Sequence, residues 1–221
     1  MAMAQTRTHF DQELGELRTG VLRLGSMVEE AISDSMSALV NRDNRLAHEV
    51  INRDLETNEL HRQLRERAFR VMATQQPVAR DLRLIFSLQH MVLELERMAD
   101  HAVGIARGSL RLNDMPQLKP YVDLPRMAEL AQTQVHEILG AVIDADEERA
   151  RAIAQRDDEV DELYHRIWRD LVDYMVQDPR NVERAAILLF IAKDLERIGD
   201  RVTNIAEDVV FLHTGHIVEL S

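Results

Sequence analysis

Leu95-Glu96-Arg97-Met98-Ala99-Asp100 and Leu195-Glu196-Arg197-Ile198-Gly199-Asp200 are one stretch written twice, 100 positions apart. Ile105-Ala106 over Ile205-Ala206 extends the match at the same offset. Upstream the offset is 103: Arg53-Asp54-Leu55-Glu56-Thr57-Asn58-Glu59-Leu60 lies over Arg156-Asp157-Asp158-Glu159-Val160-Asp161-Glu162-Leu163, and the capping residues Asp43 and Asp146 fall on it too. The chain is therefore a duplication. The change of offset puts a three-residue length difference in the turn or flanking helix ends between the second and third helices of each half.

Apolar residues recur at three- and four-residue spacing around these stretches, the signature of amphipathic helix. Leu14, Leu17, Val21, Leu24, Val28, Ile32, Met36 and Leu39 trace one face of a first helix. Asp43 caps a second, which carries Leu46, Val50, Leu60, Leu64, Ala68, Val71 and Met72. A third follows the Gln75-Gln76-Pro77 turn, with Pro77 expected in its first turn, and runs through Leu84, Leu88, Met91, Leu95, Met98, Ala102 and Ile105. The pattern breaks between about Gly108 and Pro125, where Pro116, Pro120 and Asn113-Asp114 mark a linker. A fourth helix carries Leu130, Ile138 and Val142. Asp146 caps a fifth, with Ile153, Val160, Leu163, Ile167 and Leu171, and Asp178-Pro179 opens a sixth that ends near Leu212. The expected fold is all-α: two tandem, pseudo-symmetric antiparallel three-helix bundles, six helices in all. The expected boundaries are 1–110 for the first bundle, 111–125 for the linker, 126–212 for the second bundle and 213–221 for a frayed C-terminal tail.

Composition agrees with helix and narrows function. Aromatics make up only 4% of 221 residues, and 8 Gly and 5 Pro are few. With no Cys there are no disulfides or thiolate metal sites, and a reducing compartment is the natural setting. Met1 to Asp11 has no apolar core of a signal peptide. No apolar run approaches the roughly 20 residues that span a bilayer, so membrane contact is expected only through partners. The net charge of −12 argues against nucleic acid as partner and suits a basic protein surface, or cations as ligands.

In a helix, residues four apart share a face. Glu96 and Asp100 therefore point together, as do Glu196 and Asp200, while Asp54 with Asn58 and Asp157 with Asp161 repeat the spacing on the second helix of each half. Side-by-side packing brings about four oxygen-bearing side chains onto one shared face. Like charges at this spacing cost a helix about 0.2–0.5 kcal/mol, and crowding raises carboxylate pKa values. A hard cation relieves both. Exposed rows of this kind suit an open multi-cation cluster better than a closed cage. Arg97 and Arg197 are expected to point away or to pair with Glu94 and Asp194. Glu162-Leu163-Tyr164-His165 is the E-x-x-H element of ferritin-like di-iron sites, but the first half reads Glu59-Leu60-His61-Arg62 and breaks it. His213 and His216 belong to the tail; His48, His90 and His136 read as helix-surface or interface residues. No phosphate-binding loop, nucleophile setting or dinucleotide motif occurs, and nothing marks an enzyme.

The tandem bundles, the paired acidic motifs, the opening His9-Phe10-Asp11-Gln12-Glu13-Leu14 and the turn Gln76-Pro77-Val78-Ala79-Arg80-Asp81-Leu82-Arg83 resemble the PhoU family from about Thr8 to Leu212. The resemblance implies a cytosolic, often dimeric regulator without catalytic activity. Such a regulator restrains the phosphate-starvation response by coupling the ATPase subunit of a phosphate ABC transporter to a membrane sensor histidine kinase. It also implies iron, zinc or other divalent cation clusters, with Asp54, Glu96 and Asp100 as ligands in the first bundle. Asp157, Asp161, Glu196 and Asp200 take that place in the second. Asn58 stands where the motif has Asp; its amide still offers an oxygen but less charge, which predicts a weaker or emptier first site. Three other readings share these features: a metal-storing or redox-active helical protein, a purely structural bundle, and an accessory protein of a different phosphate transporter.

Overall fold

Apolar periodicity, ended by caps and left-handed turns, builds the helices of this computed structural model, which describes residues 2–220 and side chains from His9 to Leu220. They are α1 (Ala2–Asn41), α2 (Asn44–Gln75), α3 (Arg80–Asn113), α4 (Asp123–Asp144), α5 (Glu147–Ala154), α6 (Asp157–Gln177) and α7 (Val182–Thr214), and no strand occurs among the described residues. The duplicated caps hold: Asp43 accepts from the Leu46 backbone N–H at 3.0 Å and Asp146 from that of Arg149 at 3.0 Å. Arg42, Gln76, Ala145 and Gly215 end helices in the left-handed region, and of these only Gly215 is there without a side-chain penalty.

Local expectations are corrected at several points along the chain. Pro77 lies outside α3, which begins at Arg80 after a turn with positive φ at Gln76 and Ala79. Gly108 does not break α3: the helix runs on to Asn113, and a Cβ at Gly108 would come 3.0 Å from Ile191, so the glycine permits close approach of α7. Outside the helices, the linker is 114–122. The fifth helix is interrupted at Gln155-Arg156 into α5 and α6. There the Gln134 side chain, on α4, donates to the Arg156 carbonyl at 3.0 Å and the Arg156 guanidinium reaches Glu137 at 2.5 Å; a side chain drawing on the backbone ladder breaks a helix locally. Before α7, Pro179–Asn181 form one 3-10 turn under the Asp178 cap. Beyond Gly215 the chain folds back rather than fraying: the Leu220 N–H donates to Glu207 at 3.0 Å, and the Leu220 side chain packs on the core.

Helices α2, α3, α7 and α6 lie side by side as one layer, with α1 and α4 packed together across it. Within each half the order is antiparallel, and α3 runs antiparallel to α7, since His90 faces Asp208, His101 faces Asp194 and Arg111 faces Glu183. One apolar core passes through both halves; Leu95, Met98, Leu195 and Ile198 are wholly buried in it. His90 and His136 both sit where the halves meet, the latter 3.2 Å from Glu29 of α1.

Among these contacts Glu94 is singular. It is completely buried, and accepts from Arg97 at 2.9 Å, from Asn204 at 2.9 Å and from Arg201 at 3.3 Å, the last two on the opposite half. A buried charge is tolerated only when its partners are in place. Glu94→Ala strands Arg201 and Asn204, and is expected to cost about 3 kcal/mol. Urea unfolding is the measurement; a midpoint equal to that of the parent chain would show that Glu94 does not join the halves.

Candidate metal centres

In the first half the acidic rows line the groove between α2 and α3. Asp54 and Asn58 are one turn apart on α2, and the Asn58 amide donates to Asp54 Oδ2 at 2.8 Å. Asp54 Oδ1 is buried and accepts no hydrogen bond. Burial raises the Asp54 carboxyl above its ordinary value and the Asp100 charge raises it further. Burial likewise lifts Glu96, helped by the charges of Asp100 and Asp54. Asp54, Glu96 and Asp100 therefore feel one another's charge across the groove. His61 stands beside them, its Nδ1 3.9 Å from Glu96 Oε1 and its buried Nε2 without a hydrogen-bond partner; burial pulls its pKa down. A cavity of about 160 Å³ includes Asp54 in its lining, with Arg23, Ala31, Arg53 and Val103.

In the second half the same rows lie between α6 and α7, and are tighter. Asp157 is raised to about 7, by burial first and then by Asp161, Asp200 and Glu196. A Cβ on Gly199 would come 2.5 Å from Asp157 Oδ1, so this glycine lets the carboxylate lie against α7; the first half has Ala99 at the matching place. Burial also raises Asp161, with Asp200 adding to it and His165 and Lys193 opposing it. Lys193 Nζ donates to Glu196 Oε1 at 2.5 Å, and Arg197 donates to Asp200 Oδ2 at 2.7 Å. Asp157 Oδ1 and Glu196 Oε2 are buried without hydrogen bonds.

The structure thus brings Asp54, Asn58, Glu96 and Asp100 to one groove, and Asp157, Asp161, Glu196 and Asp200 to the other. Among the described residues, however, no group of three or more His, Asp or Glu is already arranged to hold a metal ion. The carboxylates are instead turned toward Asn58, Lys193 and Arg197. The donor chemistry fits a hard cation nonetheless: the first groove holds one buried carboxylate oxygen with nothing to bond, Asp54 Oδ1, and the second holds two, a costly condition that a cation would remove. Arg97 pairs with Glu94 as the i−3 spacing predicts, but Arg197 turns to Asp200, because Asp194 is taken by His101 at 3.0 Å. Sequence reasoning missed His61, Lys193 and Gly199. A comparison of the halves would have exposed them as His61 against Tyr164, Leu93 against Lys193 and Ala99 against Gly199.

The model of the PhoU domain matches the chain twice, over residues 21–108 and 124–209. The phosphate-specific transport system accessory protein PhoU homolog of Clostridium acetobutylicum is 37% identical over 217 residues, 98% of this chain and 99% of that protein. The PhoU homolog of Pseudomonas aeruginosa is 37% identical over 207 residues, 93% of this chain and 86% of its own. The crystal structure of PhoU from Pseudomonas aeruginosa superposes with a TM-score of 0.90 at 36% identity, covering 94% of this chain and all of that one. That of the phosphate transport system regulatory protein PhoU from Streptococcus pneumoniae gives a TM-score of 0.88 at 30% identity, over 95% and 99% of the two chains.

The groove electrostatics have a sign that can be measured. Asp157 ionises near 7 when folded and near 3.8 otherwise, so folding favours its protonated form. That stabilisation is complete below about pH 4 and is lost as pH rises through 7. Chelator-treated protein is expected to melt at lower temperature at about pH 8 than at about pH 5, and Asp157→Asn to shrink the fall. Identical pH slopes for the two proteins would contradict the buried placement of Asp157.

Proposed function

The chain belongs to the PhoU family, and from that premise we propose that it is a non-enzymatic regulator of phosphate uptake and phosphate-starvation signalling. It couples the ATPase subunit of a phosphate ABC transporter to a sensor histidine kinase and represses the starvation response while phosphate is plentiful. The observation that carries this reading is the similarity, over nearly the whole chain, to accessory and regulatory proteins of phosphate-specific transport.

The architecture supports an adaptor. Long helices in one layer offer extended docking faces, and Phe86 of α3, Trp168 of α6 and Phe190 of α7 stand exposed as apolar anchors of the kind partners use. No helix among the described residues is long and apolar enough to cross a membrane. The adaptor works in the cytoplasm, as a homodimer, and meets the membrane through its partners. Iron, zinc or other divalent cations bind the two grooves, through Asp54, Glu96 and Asp100 with the Asn58 amide oxygen in one, and Asp157, Asp161, Glu196 and Asp200 in the other. The bound charge holds each helix pair in register.

Inactivating the gene in its own host is expected to switch on phosphate-starvation genes in phosphate-rich medium, and the intact chain supplied in trans to silence them. Expression that still follows external phosphate in the inactivated strain would overturn the reading.

A further inference from the structure

We propose that Lys193 is a tethered cation that neutralises the second groove from within, so that free cations fill the first groove before the second. The proposal rests on the cation reading of the acidic rows given above. It goes beyond that reading by ordering the two centres.

Comparison of the halves carries it. Asp157, Glu196 and Asp200 match Asp54, Glu96 and Asp100, but three neighbouring positions change together: Asn58 becomes Asp161, Leu93 becomes Lys193 and His61 becomes Tyr164. Within the rows the second half thus gains one carboxylate and one ammonium, while Trp168 and Glu207 replace the more distant Arg65 and Arg107. The ammonium is held at two points, with Nζ 2.5 Å from Glu196 Oε1 and 5.2 Å from the centre of the Tyr164 ring. Glu196 is 13% exposed and Lys193 35%, so the contact is shielded on its carboxylate side and open to water on the other. Arg197 adds a second internal cation on Asp200 at 2.7 Å.

The first half has neither. Leu93 carries no charge, and Arg97 donates to the buried Glu94 and acts on Glu96 only through space. Among the described residues Arg65 and Arg107 form no ion pair; they act on the groove only from a distance, on Glu96 and Asp54 respectively. What holds Asp54 is the neutral amide of Asn58, which can rotate to present its oxygen. A cation entering the first groove therefore meets three carboxylates and displaces no charge. One entering the second must dislodge Lys193 and Arg197, or sit beside them against like-charge repulsion. This order reverses the one that Asn58 alone suggests.

The test uses the full chain, stripped of metal, titrated with Mn²⁺ by calorimetry. Glu196→Gln with Asp200→Asn isolates the first centre; Glu96→Gln with Asp100→Asn isolates the second. The first is expected to bind about tenfold more tightly or better. Adding Lys193→Met to the isolated second centre is expected to raise its affinity about tenfold, and Leu93→Lys to weaken the first. Circular dichroism checks that each variant is folded, and Lys193→Gln serves as a second substitution. Without metal, Lys193→Met is expected to lower the melting temperature, and Mn²⁺ to raise it by more than in the parent. A second centre that binds Mn²⁺ equally with and without Lys193, or that binds more tightly than the first, overturns the proposal and leaves the cation reading standing. No Mn²⁺ bound by the parent or by the Lys193→Met chain overturns both.

Discussion

Helices α3 and α7 are copies of each other packed antiparallel, and the buried carboxylate of Glu94 lies in the seam between them. Apolar contacts along this seam, among them Ile187 and Ile191 against Gly108, supply the bulk of the adhesion but little registration, because greasy surfaces slide at small cost. Glu94 supplies the registration. With its charge out of water it must meet Arg201 and Asn204 across the seam, and a slip by one turn would strand both and leave Glu94 with only Arg97 of its own helix. His90 with Asp208 and His101 with Asp194 repeat the constraint toward either end. Once α3 and α7 are fixed, α2 and α6 occupy the outer edges of the layer and the two acidic grooves follow.

The helices were legible because their cause is local. Apolar spacing and the Asp43 and Asp146 caps act within a few residues, so the sequence displays them directly. What could not be read depends on partners far along the chain. Gly108 looks like a breaker until Ile191 is found against it, and Arg156 looks like an ordinary helical residue until Gln134 takes its carbonyl. The same division runs through the candidate centres. The i,i+4 rows of carboxylates are a property of each helix and were read from spacing. What a neighbouring helix presents decides which carboxylates remain open, so the expectation that Arg197 points away or pairs with Asp194 fails: His101 of α3 holds Asp194 and Arg197 faces Asp200. Lys193 and His61 escaped because neither belongs to an acidic motif; only alignment of the halves singles them out.

Duplication gave this chain two grooves, and divergence made them unequal. In both, carboxylates are held partly out of water, raised in pKa by burial and by one another, with oxygens left unbonded. The first groove answers with a neutral amide and an imidazole; the second answers with an ammonium and a guanidinium. In the adaptor reading this inequality gives a single chain two different responses to cations, beside one seam that ties both halves together. Helix pairs α2–α3 and α6–α7 would then stiffen in sequence rather than together, and the faces that carry Phe86, Trp168 and Phe190 lie on those same pairs.

Anomalous diffraction at the manganese edge, from crystals grown with Mn²⁺, tests the central claim most directly, because it locates the ion rather than inferring it. The expected result is a peak in the groove between α2 and α3 within about 2.2 Å of carboxylate oxygens of Asp54, Glu96 and Asp100. The second groove is expected to show a weaker peak, or none while Lys193 still faces Glu196. Peaks lying only outside both grooves, with Asp54 Oδ1 still unbonded, would contradict it.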